Sequence, residues 1–106
     1  MPKYLLQASY TAEGLRGLLK EGATKRKAAV EQLIDSLGGK LEVFYPAFGD
    51  TDVFLIVDAP DNESAAAASM AVGASGMVQV KTTVLLTPEE MDRATKKSVS
   101  YRPPGK

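Results

Sequence analysis

Five consecutive apolar residues, Val53-Phe54-Leu55-Ile56-Val57, constrain this chain more than any other feature. Turn-forming residues bound them: Pro46, Gly49 and Asp50 upstream, Ala59-Pro60-Asp61-Asn62 downstream. A short apolar run between such breakers reads as a strand. Successive strand residues point to opposite faces, so both faces of this strand favour leaving water. A strand over Asp52–Asp58 is therefore expected at the centre of a sheet. A short loop pairs it with a preceding strand, Leu41–Tyr45.

The rest of the chain supplies elements to cover it. In Lys3–Tyr10, Tyr4, Leu6, Ala8 and Tyr10 share one face and Leu5, Gln7 and Ser9 the other, a strand pattern. Thr11 can cap a short helical turn through Leu15–Lys20, weakened by Gly14, Gly17 and Gly22. A stronger helix is expected over about Thr24–Leu37. Val30, Leu33, Ile34 and Leu37 form one apolar stripe there, and Gly38-Gly39 supply a left-handed stop. Asn62 is the expected cap of a second helix, Glu63–Ser75, closed by Gly76. Its run of four alanines lets it lie close to a sheet. Met77–Leu86 is β-branched and reads as a strand, with Val78, Val80, Thr82, Val84 and Leu86 on one face. Thr87-Pro88-Glu89-Glu90 matches a capping box and opens a short helix ending near Lys97. The proline-containing remainder, residues 98–106, is an extended tail with Tyr101 as its one anchor.

This order is an α+β, ferredoxin-like βαββαβ arrangement. It predicts a four-stranded antiparallel sheet, both long helices on one face through right-handed crossovers, and a short C-terminal helix. Residues 1–97 form one domain. No helix among these elements covers the opposite face, where Phe54 and Ile56 lie, with Phe44 able to join from the neighbouring strand. An apolar patch of several hundred Å² is more than a monomer usually leaves exposed. A homodimer or higher homo-oligomer with sheets face to face is the expected partner arrangement.

The 106 residues contain no histidine and no cysteine. That removes Ser-His-Asp chemistry, thiol catalysis, zinc–thiolate sites and histidine ligation of haem or metals. Thirteen basic residues balance thirteen acidic ones, so no global charge draws the chain to nucleic acid or membrane. No apolar run approaches the roughly 20 residues of a membrane span, and no signal-peptide pattern precedes the first strand. The expectation is a cytoplasmic protein without cofactor or metal, and with neither nucleic acid nor membrane as partner.

Candidate chemistry must rest on other residues. Asp50 and Asp52 sit at the mouth of the hairpin. If Asp52 already belongs to the strand, its carboxylate lies on the Phe54/Ile56 face, where apolar neighbours favour a base. Local backbone bonding by both aspartates is the commoner use. Tyr10 and Tyr45, like Tyr4 and Tyr101, can bury a ring and present a hydroxyl. Lys25-Arg26-Lys27 places three cations at a helix start that prefers anions. Solvation of the three is the favoured reading, and an anion subsite with Arg16 and Lys20 the sharper one. No glycine-rich phosphate loop, metal-ligand spacing or RNA-binding aromatic pattern is present.

Two blocks, KYLLQASYTAEGLRGL and GGKLEVFYPAFGDTDVFLIVDAPD, together with TPEEM, resemble the GYD-domain family of the dimeric α+β barrel superfamily. The family's signature falls on Gly49-Asp50-Thr51-Asp52. Gly49 and Asp52 match, and Thr51 stands where a tyrosine is expected, so no phenol role carries over. The resemblance implies the fold and a tendency to pair. Tyr10, Tyr45, Gly49 and Asp52 are the candidate ligand-binding residues. The expected function is an oligomeric small-ligand-binding or regulatory module. The alternatives are a cofactor-independent monooxygenase- or isomerase-like enzyme using Asp and Tyr, and a structural assembly protein.

Overall fold

A computed structural model describes residues 1–106. Four strands, β1 (Lys3–Tyr10), β2 (Lys40–Pro46), β3 (Val53–Asp58) and β4 (Val78–Leu85), form one antiparallel sheet in the order β2-β3-β1-β4. The helices are α1 (Ala12–Glu21), α2 (Ala23–Ser36), α3 (Asn62–Ala74) and α4 (Pro88–Thr95). The α+β order and the ferredoxin-like sheet agree with the sequence reading, and the all-apolar β3 is an inner strand as expected.

One face of the sheet carries the core. Tyr4, Leu6 and Ala8 of β1, Val53, Leu55 and Val57 of β3, and Val78 of β4 are buried against Ile34 of α2 and Ala65 and Ala68 of α3. Burial of the Leu, Val and Ile side chains among them is worth roughly 1.5–3 kcal/mol each before chain entropy is counted. The alanines of α3 explain its close seat. Tyr4, almost wholly buried, donates its hydroxyl proton to Asn62 Oδ1 at 2.6 Å. Asn62 is thus occupied with the sheet and is not the helix cap. Asp61 caps α3 by accepting the Ser64 N–H at 2.8 Å, which holds its carboxyl below the usual aspartate range.

The first crossover departs from the sequence reading. Two helices stand where one helix and a weak turn were expected, and they meet at Gly22, whose φ of +86° breaks the path. Gly14 does not weaken α1. Its missing Cβ lets the helix start sit against the Met77 carbonyl oxygen, which a side chain would strike. That contact is fixed by Thr11, whose N–H donates to Met77 O at 2.9 Å. At the far end of α2 the left-handed stop is Gly38, with φ +78°.

The opposite face of the sheet is not covered by any helix. Its centre is Leu5, Val43, Phe54 and Ile56, with Tyr45 opposite Phe54. Phe44 does not join it. A register shift between Leu41 and Val43 resets the alternation of β2, so Phe44 lies opposite Leu55 on the helix side. Such a bulge turns the strand's later residues over without changing its composition. Lys3 closes one end of this open face, bonded to Glu42 at 2.6 Å and Asp58 at 2.9 Å. These two bonds raise the Lys3 pKa.

The capping box at Thr87 forms as read, with the Glu90 carboxylate accepting the Thr87 N–H at 2.9 Å and Thr87 Oγ1 accepting from Glu90 N–H at 3.1 Å. Yet α4 buries no residue, and Tyr101 is 72% exposed, so it anchors nothing within one chain. The radius of gyration, 16.8 Å, exceeds the ~13 Å of a compact domain this long. Residues 86–106 form an exposed arm.

Candidate functional site

Because α2 packs on β2 and α3 on β4, a gap remains between the two helices above the middle of the sheet. It forms an inner cavity of about 90 Å³. Its floor is Leu6, Ala8, Val53 and Leu55, and Val30 of α2 and Val72 of α3 border it. Val30 and Leu33, read as core residues of the α2 stripe, are therefore only half-buried: they border the cavity.

Two outer cavities adjoin it. One, about 340 Å³, lies between α1 and the end of α3 and includes Gly14, Leu18, Glu21 and Met77. The other, about 300 Å³, lies under the hairpin loop and includes Leu15, Phe48 and Asp52. Tyr10 and Arg26 border all three cavities.

The sequence candidates divide accordingly. Tyr10, at the end of β1, faces the helix side and sits where the cavities meet. Tyr45 lies on the other face of the sheet, 69% exposed, so the two tyrosines cannot share a ligand within one chain. Asp52 precedes β3 and does not project from the Phe54/Ile56 face. Its Oδ2 accepts the Tyr10 N–H at 2.8 Å, while its own N–H donates to Ala8 O at 2.9 Å. The carboxylate thereby ties the hairpin loop to the end of β1 and borders the loop-side cavity. Asp50 is exposed, and only its carbonyl is engaged, accepting from Ser9 Oγ at 3.2 Å. Gly49 is exposed in the loop and borders none of these three cavities.

The basic run separates. Lys25 and Lys27 are exposed, as are Arg16 and Lys20, and these four are solvated. Arg26 alone is half-buried and turns to the cavities. The signal for this was in the spacing. Arg26 stands four residues before Val30 and eight before Ile34, on the same helical stripe, whereas its two neighbours fall off it. Phe48 carried no such signal: it is fully exposed, and only the folded hairpin brings it to the cavity rim.

No cluster of acidic residues with metal-binding geometry occurs, and no helix is long and apolar enough to cross a membrane. No curated protein and no solved structure matches the chain. The family model of the GYD domain matches residues 4–95, spanning every strand and helix from β1 to α4, and the chain belongs to the GYD-domain family.

Proposed function

We propose that this protein is a homodimeric module that binds a small ligand between α2, α3 and the sheet. The inner cavity carries the reading. Binding sites are typically concave and mostly apolar, with a few convergent polar groups, and here thirteen apolar side chains surround Tyr10 and Arg26. A well-filled core would have closed the gap between α2 and α3 with larger side chains than Ala29, Ala68 and Val72.

Pairing rests on the other face. Leu5, Val43, Phe54 and Ile56 are contiguous across three strands, and α4 and the tail leave them uncovered. The occupant is a second copy of the same face. Its apolar centre is self-complementary, and at its charged end Lys3 pairs with Glu42 and Asp58 and offsets one of their two negative charges. A two-fold axis near Phe54 sets apolar centre on apolar centre.

The cavity is tested by adding a panel of small apolar compounds to isotope-labelled protein and following the methyl signals of Val30, Ala68 and Val72. Binding should move these signals together. Ala29→Phe, at an exposed position on the cavity wall, should fill the space and abolish the response. Methyl signals that stay fixed with every compound would refute the ligand site.

A further inference from the structure

Only two of the fifteen residues that wall the inner cavity carry a polar group, Tyr10 and Arg26. The Arg26 guanidinium is a planar cationic fork. It makes no ion pair, since both ion pairs of the molecule belong to Lys3. Tyr10 donates its backbone N–H to Asp52, and its side chain, which borders the inner cavity, brings a hydroxyl as the other polar group of the wall. A lone cation at the edge of an apolar space, with no acid of its own, is matched by an anionic head on an apolar body. A planar carboxylate suits the fork of an arginine best.

The neighbouring acids limit the charge. Glu21 and Asp52 border the two outer cavities and not the inner one. Arg26 is the one charged residue of the inner wall, so it matches a single negative charge there; a second would have no cation and would face Glu21 and Asp52 across the outer cavities. The inner space of about 90 Å³ takes only a short chain or a small ring, and longer bodies run on into the outer cavities. Resting on the cavity being a ligand site, we infer that its ligand is a compact monoanionic amphiphile. The apolar part enters between α2 and α3, and the carboxylate-type head lies against Arg26 and the Tyr10 hydroxyl.

Hexanoate, 1-hexanol and hexylammonium share a chain and differ in the head. Titrating each into the protein, with the Val30 and Val72 methyl signals as readout, separates head from body. Hexanoate should bind roughly tenfold more tightly than hexanol, as a charge-assisted pair with arginine implies, and hexylammonium should bind most weakly. Arg26→Gln should remove the preference for hexanoate while leaving hexanol binding in place, Tyr10→Phe should reduce it, and Lys25→Gln should leave it unchanged. Equal affinities for hexanoate and hexanol in the unaltered protein would overturn the inference and leave the cavity reading standing. So would a preference that survives Arg26→Gln and falls with Lys25→Gln. If none of the three compounds moves the methyl signals, the cavity reading itself fails, and this inference with it.

Discussion

The two faces of β3 are built from equally apolar residues and end in different surroundings. Val53, Leu55 and Val57 are buried under helices, Val57 at 2% exposure, whereas Phe54 on the reverse face is 40% exposed. Composition cannot distinguish them; the number of helices does. Two crossovers in a ferredoxin-like arrangement cover one face only, and the arm after Leu85 does not return to cover the other. The covered face, roofed by helices that stand apart, keeps a cavity. The uncovered face keeps an apolar patch that exposure alone would leave unfavourable. That difference is the starting point for both the proposed small ligand on one side and the proposed second copy on the other.

Substitutions on the two faces give the largest contrast. Leu55→Ala should destabilise the fold by about 2–5 kcal/mol, measured by urea unfolding against the parent at the same protein concentration. Phe54→Ala should cost the fold far less and instead make the melting temperature independent of protein concentration, because it removes the linkage between folding and association. If both variants lost the same stability with the same concentration dependence, the distinction between the faces would fail.

A second contrast concerns how α2 reaches the covered face. Gly38→Val places a β-branched residue at φ +78° and should cost roughly 1–2 kcal/mol. A melting temperature unchanged from the parent would show that the helix is stopped in another way. The tie between the covered face and α3 is smaller. Tyr4→Phe removes the hydroxyl that bonds Asn62 and should cost about 1 kcal/mol, read from the same unfolding curves.

The smallest effects are electrostatic, and the two sides respond to opposite ends of the pH range. Asp61, which caps α3, has a carboxyl pKa lowered chiefly by the Ser64 N–H. Its contribution is therefore present above the unfolded aspartate value and is lost as pH falls through the folded one. Lys3, on the open face, has a pKa raised chiefly by its bond to Glu42 and then by that to Asp58. Its contribution is present below the unfolded lysine value and is lost as pH rises through the folded one. Acid titration should shift the Ser64 amide signal, and Asp61→Ala should abolish that response. Alkaline titration should shift the Lys3 side-chain signals instead.

Much of this architecture is legible in the residues. The period-2 pattern of β1, the apolar run of β3, the stripe of α2 and the capping box of α4 each report a local preference that the fold keeps. What escapes is set by contacts between distant segments. Gly14 reads as a helix breaker, because nothing near it in sequence shows that Met77 approaches there. Phe44 reads as an open-face residue, because the bulge after Leu41 leaves no compositional trace. Asn62 and Asp61 are both good caps, and only the arrival of Tyr4 selects between them. Within the site, Tyr10 and Asp52 are found from sequence, and Arg26 is named but placed among solvated cations. Tyr45 falls on the wrong face to join them, and Gly49 and Asp50 remain in the exposed loop.

The claim that the open face is made for a second copy is tested most directly by multi-angle light scattering on a sizing column, at micromolar concentration, with Phe54→Asp alongside. The parent protein should show twice the chain mass of 11.3 kDa, and Phe54→Asp should be a folded monomer. A parent protein that elutes as a folded 11.3 kDa monomer, or a Phe54→Asp variant that still pairs as the parent does, would contradict it.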